Sequence, residues 1–476
     1  MPADNLTREY PPEKVEQHKG AEKEKEDALG SLISLGALLL LMFTALAFGA
    51  VESWSISVFG MFVLTLSVLW IAKAVLDKRI IVTIPAALWP LCAFLIYGFL
   101  QTVSRFDETG KRFAISLDVE ATRLALEVLG ILLIAFLIFA NFFVSGRRLL
   151  WLRSFLILFG LGLAVFGLIQ KYTWNGKYYW LVQPSTPPTS PFGSFVNHNH
   201  FAGYLEMIAP IPLAMFLVRS VHREISIFYC FAAAMMGIAV FLSLSRGGML
   251  SLLSGFIFVV AFGAKPAIER FRGYEIGSRT PLFLLQMLAV ILIVSAIIVG
   301  VLWIGGDEIV KRVSQVELSG AVENTGNQDE RFLDGRFWIW RDTVEMIRAN
   351  WQTGVGLGAY ETAFPMFTKS NGALIVSQAH NDYLQIVADC GVIGVFLTIW
   401  FLVVLFRDIN RAMRHRLAVM SGMALGCGGG VVAILVHSLF DFNLQLPSNA
   451  LLFLVLTAAI SNISVAADKT TQAQFE

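Results

Sequence analysis

The stretch Asn-His-Asn-His at Asn197, His198, Asn199 and His200 crowds four amide and imidazole side chains into a chain that is 56% hydrophobic. Such groups can bind a metal ion, a sugar hydroxyl or a phosphate, and they are costly to bury in lipid without partners. Two imidazoles do not complete a zinc site, and the sequence offers no cysteine cluster or HExxH stretch to add ligands. We therefore expect these residues to contact a substrate or, since asparagine is a good N-cap, to begin a helix.

The composition is that of a membrane protein. Of 476 residues only 15% are charged, and the mean hydropathy of +0.67 is higher than a soluble domain needs to fill a core. The net charge of +1 argues against a nucleic-acid partner, because binding to a phosphate backbone requires a basic surface.

Helices long enough to cross a bilayer need about 20 mostly apolar residues. Twelve stretches meet this requirement, so the sequence predicts an all-α polytopic membrane protein with about twelve transmembrane helices. The predicted spans are residues 30–50, 54–75, 83–103, 122–144, 149–170, 200–219, 225–244, 247–264, 281–304, 388–406, 417–439 and 446–463.

The distribution of Lys and Arg predicts the orientation of these spans. If the N-terminus is cytoplasmic, the loops after spans two, four, six, eight and ten lie inside, and all five are basic. This solution predicts a disordered cytoplasmic tail over residues 1–28, a transmembrane domain over 29–464 and a cytoplasmic tail over 465–476. A long periplasmic loop, residues 305–387, then lies on the same side as Asn197–His200.

The long loop contains a predicted amphipathic helix, Asp334 to Trp351, lying at the membrane surface. The following GVGLG stretch predicts a helix stop and a tight turn. It does not predict a nucleotide loop, because no Lys-Ser or Lys-Thr follows it. His380 lies just ahead of the tenth span, so the loop could form a lid over a pocket open to lipid. The predicted apolar face is Phe337, Trp340, Val344 and Ile347, opposite Arg341, Glu345 and Arg348.

Four motifs, in this order, resemble the O-antigen ligase and polymerase superfamily: SFVNHNHFAGYLEM, SLSRGG, GRFWIWRDTVEMIRANWQTGVGLGAYE and AHNDYLQIVADCGVIGVF. The resemblance implies a GT-C-like glycosyltransferase that is multi-pass in the bacterial inner membrane, with its active site facing the periplasm. It implies an inverting transfer without metal or other cofactor. The implied partners are a glycan on undecaprenyl diphosphate, an acceptor glycan or glycolipid, and the lipid bilayer.

The resemblance also implies roles for the matching residues. Arg246 of SLSRGG and Arg336 of GRFWIW match family arginines that would hold the diphosphate, a task that suits a planar, permanently charged group. His380 of AHNDYLQ matches the family histidine that would activate the acceptor hydroxyl. Ordinary structural roles remain open: Arg246 could anchor a helix end, His380 could cap a helix, and Arg336 could lie on a solvated face.

Four further residues are expected near the same pocket as substrate contacts: Glu206, Arg341, Asp382 and Asp441. Glu206 lies inside the sixth span, where a carboxylate is expensive unless it faces a cavity or a partner. Asp441 is expected to orient a neighbouring group. His437, near the outer end of the eleventh span, is a further candidate, like Glu206, to reach the outer pocket.

The acceptor is left open by the sequence. Lipid A core would make the protein a ligase, the growing glycan a polymerase, and a protein hydroxyl an O-oligosaccharyltransferase. A twelve-span transporter or lipid-glycan flippase is the rival class, and an inactive scaffold is a third. A transporter should carry intramembrane charges and broken helices near the midplane, and we expect few of either in these spans.

Overall fold

The computed structural model describes residues 28–106, 112–183, 191–218, 223–272, 332–368 and 375–472. Within these ranges the regular structure is helical apart from one antiparallel pair of two-residue strands, β1 (Arg105–Phe106) and β2 (Arg112–Phe113). The all-α prediction is confirmed. The predicted N-terminal tail, the ninth span and the first part of the long loop lie outside the described residues.

The helices run in chain order as follows. They are α1 (Ala28–Leu46), α2 (Ser53–Leu76), α3 (Leu88–Thr102), α4 (Val119–Phe142), α5 (Gly146–Tyr172), α6 (His198–Ile208), α7 (Pro210–Leu217), α8 (Arg223–Leu242), α9 (Arg246–Arg272), α10 (Phe332–Asn350), α11 (Tyr360–Ala363), α12 (Asp382–Ala412), α13 (Ala418–His437) and α14 (Pro447–Gln472).

Ten segments of the described chain are long and apolar enough to cross a membrane, and together they make this a multi-pass membrane protein. They coincide with ten of the twelve predicted spans. The third predicted span corresponds to α3, which is apolar but has only 15 residues. At the other end α14 continues to Gln472, so residues 465–472 extend a helix where the sequence suggested a tail.

Two of the described spans are interrupted. The hydrogen bonding of the sixth span is interrupted at Ala209, between α6 and α7, because Pro210 and Pro212 supply no backbone N–H, although Ala209 keeps helical dihedral angles. The glycine-rich α13 packs closely there: a Cβ on Gly430 would lie 2.1 Å from the carbonyl oxygen of Met207. In α12, Gly391 has a left-handed φ of 60° inside the helix. Two interruptions among the ten described spans agree with the expectation of few broken spans.

The GVGLG stretch forms the predicted tight turn after α10 and ties that helix to the break in α12. The amides of Val355 and Gly356 donate to the carbonyls of Ala388 and Asp389 at 2.9 and 3.0 Å. The buried side chain of Gln101, from α3, donates to the carbonyls of Thr353 and Asp389. The glycines serve backbone packing in this turn.

Helix α10 buries a different face from the one predicted. Phe337, assigned to the apolar face, is 63% exposed. Asp342 and Thr343 are buried because the segment after α10 supplies partners: Thr368 donates to Asp342 at 3.0 Å, and Thr343 pairs with the Tyr360 hydroxyl at 2.6 Å. Hydropathy reads both side chains as surface residues, since it does not register partners distant in the sequence.

Replacing Gly354 by alanine should destabilise the protein strongly. Its φ is 71°, and a Cβ would lie 2.3 Å from the backbone of Asp389. Gly176 is a matched control, since its φ is 88° but open space surrounds the corresponding position. Gly176→Ala should lower the free energy of unfolding by about 1 kcal/mol through backbone strain. Gly354→Ala should lower the free energy of unfolding by about 1–3 kcal/mol more, because the added Cβ overpacks the turn. Equal decreases in the thermal unfolding midpoints of the two purified variants would contradict this account of the turn.

Candidate active site

A single buried carboxylate, that of Asp441, joins residues from several distant parts of the chain. It lies in the segment between α13 and α14, is 1% exposed, and has three side-chain partners. Its Oδ2 accepts from Asn199 Nδ2 at 2.7 Å and from Arg336 Nη2 at 3.4 Å. Its Oδ1 lies 3.2 Å from His380 Nδ1. Three residues predicted separately from the sequence thus meet at Asp441.

These partners determine the charge of Asp441. Burial by itself would raise the pKa of this carboxyl group, but the hydrogen bond from His380 and the positive charge of Arg336 together bring the pKa well below its ordinary value. Asp441 is therefore an anion at neutral pH. A buried anion of this kind can orient an imidazole and stabilise the imidazolium formed when that ring takes up a proton.

His380 is held on both sides by backbone contacts. Its φ is 50°, a left-handed conformation uncommon for a residue other than glycine. On one side, Trp340 Nε1 donates to the carbonyl of Ala379 at 2.9 Å. On the other, Asn381 caps α12 and donates to the Leu439 carbonyl at 3.0 Å. The side chain is 30% exposed. With Nδ1 directed at Asp441, the opposite nitrogen, Nε2, is the one that can accept a proton from a substrate.

Arg336 lies against the segment that carries Asp441. Besides its contact with Asp441, its Nη1 donates to the carbonyl of Phe440. Its side chain is only 15% exposed. This burial and these two contacts rule out the alternative that Arg336 occupies a solvated helix face.

The four residues of the Asn-His-Asn-His stretch make different contacts. Asn197 caps α6, since its side chain accepts from the Asn199 amide at 2.8 Å, whereas Asn199 reaches Asp441. The ring of His200 packs edge-on against Phe442 at 5.0 Å, and the His380 ring packs on the same phenylalanine at 4.9 Å. His198 is half-buried in the first turn of α6. Asn197 thus meets the expectation of helix capping, and the expectation that members of this stretch contact a substrate stays a prediction.

Arg246 starts α9 beside this cluster. The Ser245 hydroxyl accepts from the Gly248 amide at 3.1 Å and caps the helix, and Arg246 itself is exposed. The next residue, Gly247, packs on the ring of His437, where a Cβ would lie 3.0 Å from the ring atoms. Asp441 follows His437 by four residues, so the start of α9 and the Asp441 segment meet at the end of α13.

Three predicted site residues bind partners other than the Asp441 carboxylate. Arg341 is 60% exposed and pairs with Asp342 at 2.8 Å. Asp382 is buried and holds the Asp441 segment from within, accepting from the Ser438 hydroxyl at 2.8 Å. Glu206 is fully buried and pairs with His437. Phe442, which contacts two site histidines, was missed because its sequence neighbourhood resembles ordinary apolar packing.

Comparison with known protein families matches a segment that contains part of this cluster. Residues 231–399 match the family model described as O-antigen ligase. Over these residues the chain is similar to the O-antigen ligase family. No curated protein matches the chain at a significant level. The resemblance read from the sequence motifs is thereby confirmed.

The O-antigen ligase match contains Arg246, Arg336 and His380 but not Asn199 or Asp441. The fold brings the last two to the same place, so the cluster is larger than the matched segment. Among the described residues no group of three His, Cys, Asp or Glu side chains is placed to hold a metal ion. The cluster has a buried anion, an imidazole oriented by it and Arg336, and Arg246 lies at the start of the neighbouring helix α9. These groups suit proton transfer and the stabilisation of a growing negative charge.

The depressed pKa of Asp441 should appear in the stability of the protein at acid pH. The carboxylate stabilises the folded state fully above its unfolded pKa of about 4 and loses this contribution as the pH falls further. Asp441→Asn should therefore have an unfolding free energy about 3 kcal/mol below that of wild type at pH 7. When the pH falls from 5 to 3, the unfolding free energy of the variant should decrease less than that of wild type. Thermal midpoints across this range measure both effects. Asp77→Asn, in an exposed pair with Lys73, should follow wild type. Parallel pH curves for Asp441→Asn and wild type would refute the linkage.

Proposed function

We propose that this protein is a glycosyltransferase of the O-antigen ligase type. It transfers a glycan from undecaprenyl diphosphate to an acceptor hydroxyl at the periplasmic face of the bacterial inner membrane. The observation that carries this proposal is the convergence of His380, Arg336 and Asn199 on the buried Asp441. The family match and the ten apolar helices support it.

In this proposal His380 is the general base. The acceptor oxygen attacks the anomeric carbon as the bond from that carbon to the diphosphate oxygen breaks, and attack opposite the leaving group inverts the configuration. Nε2 of His380 takes the hydroxyl proton, and Asp441, 3.2 Å from Nδ1, stabilises the imidazolium that results. The lipid diphosphate leaves with the electron pair of the broken bond, so the site must stabilise anionic oxygens without metal help.

The two arginines have different tasks. Arg336 is occupied by the Phe440 carbonyl and by Asp441, so it fixes the segment that orients His380. Arg246 is exposed at the first turn of α9, where the helix dipole also favours an anion. We therefore assign the diphosphate chiefly to Arg246. This refines the expectation from sequence that both arginines hold the diphosphate.

A transporter or flippase is a second candidate, because specific features favour it. The broken sixth span, the break at Gly391 and the buried pair of Glu206 and His437 are intramembrane features found in transporters. The two functions differ in chemistry: a transporter moves its substrate without breaking a glycosidic bond.

Replacing His380 or Arg246 by alanine should abolish glycan transfer while protein levels remain normal. Loss of a general base lowers rates by about 100- to 10,000-fold. Arg348→Ala is the control, because Arg348 is 69% exposed on α10 and pairs with Glu345, three residues before it. A glycan gel of deletion strains complemented with each variant, with extraction of the undecaprenyl-linked pool, measures transfer and precursor together.

The location and length of the precursor separate the candidates. Accumulation of lipid-linked glycan on the outer leaflet identifies transfer as the missing step. Long accumulated chains then indicate a ligase or an O-oligosaccharyltransferase, and single units indicate a polymerase. Accumulation on the inner leaflet would instead favour the flippase, and normal polysaccharide in both alanine variants would refute the catalytic assignment.

A further inference from the structure

A second ionisable pair is buried beneath the candidate active site. Nδ1 of His437, at the end of α13, lies 2.9 and 3.0 Å from the two carboxylate oxygens of Glu206 in α6. The side chains are 1% and 0% exposed. Pairs of this kind often contribute little net stability, since the desolvation of both groups offsets their attraction. The pair therefore calls for an explanation other than stability.

The His437 ring supports the start of the helix that begins with Arg246. A Cβ on Gly247 would lie 3.0 Å from both Cδ2 and Nε2 of His437. Next to it, a Cβ on Gly248 would lie 2.6 Å from Cβ of Ala202, in α6. The first turn of α9 therefore rests on the same two helices that hold the ion pair.

The backbone of His437 begins the turn that carries Asp441. Its carbonyl accepts from the amides of Phe440 and Asp441 at 2.8 and 3.0 Å. The carbonyl of Phe440 in turn accepts a hydrogen bond from Arg336, and the carboxylate of Asp441 contacts the ring of His380. One residue thus contacts the Arg246 turn through its ring and the Asp441 turn through its backbone.

We propose that the Glu206–His437 pair is a positioning element that sets the placement of Arg246 relative to His380. This inference rests on the proposed function, in which Arg246 holds the diphosphate and His380 takes the proton. Glu206 binds Nδ1 and so fixes the plane of the ring, which then presents its opposite edge to Gly247. Glu206 holds the buried ring at Nδ1, so we expect a Cβ added at residue 247, 3.0 Å from the ring, to shift the start of α9 rather than the ring.

The test uses purified full-length protein in lipid nanodiscs, with undecaprenyl-diphosphate glycan as donor and an acceptor glycolipid. Gly247→Ala should lower kcat and raise KM for the donor, with kcat/KM reduced about tenfold or more, because small displacements in a reacting geometry are costly. KM for the acceptor should stay unchanged. Gly263→Ala is the control: it is in the same helix, and its Cβ would also lie 3.0 Å from a neighbour, there the flexible side chain of Leu425. It should remain within about twofold of wild type.

Variants of Glu206 test the role of the ring orientation. Glu206→Leu removes the partner of Nδ1 and should reproduce the donor defect of Gly247→Ala. Glu206→Gln retains a carbonyl acceptor for the ring N–H and should keep activity within about twofold of wild type. A loss in Glu206→Gln as large as that in Glu206→Leu would overturn the inference. Because Glu206→Leu could also fail to fold, Gly247→Ala carries the decision.

Arg246→Ala in the same assay separates the two levels of the argument. If Arg246→Ala is inactive and Gly247→Ala has normal donor kinetics, the positioning inference is wrong and the proposed function stands. If Arg246→Ala transfers glycan at the wild-type rate, the proposed role of Arg246 fails, and the positioning inference fails with it. Loss of donor kinetics in both variants, with Gly263→Ala normal, supports both.

Discussion

The buried negative charge of Asp441 is the constraint on which the site depends. A carboxylate removed from water costs several kcal/mol unless partners replace its hydration. Asn199, Arg336 and His380 supply that replacement from three separate parts of the chain. Each of these residues is in turn held by its own element, so the anion fixes α6, α10 and the start of α12 relative to the segment after α13.

The glycines and prolines explain how helices in lipid can converge on one short segment. Continuous helices satisfy their own backbone polar groups in lipid, so groups freed at an interruption must be satisfied by other parts of the protein. Pro210 interrupts the sixth span close to α13, whose glycines admit the neighbouring backbone. At Gly391 the freed backbone of α12 is paired with the turn after α10. The breaks therefore serve the packing around the site, which weakens their value as a sign of transport.

The sequence predicts the membrane-spanning helices well, because hydropathy over about 20 residues is a strong signal. Its motifs also identify His380, Arg336 and Asn199, which the structure brings to one anion. The buried face of α10 could not be predicted in the same way, since Asp342 and Thr343 are buried through partners that lie 26 and 17 residues further on. The different roles of Asp382 and Asp441 could not be predicted either, because both are acidic residues near helix ends. The fold shows that Asp382 accepts from Ser438, in the segment after α13, whereas Asp441 faces His380.

The two buried acid–histidine contacts in this region differ in a way that suits different roles. His380 is 30% exposed and so leaves part of its ring accessible, whereas His437 is 1% exposed and directs its second edge at Gly247. A base must exchange its proton with a substrate, so its ring needs access; a support must not move, so its ring needs enclosure. Under the proposed roles, the same residue types yield a reactive group in one place and a rigid contact in the other. Accessibility, more than the identity of the paired side chains, separates the two roles.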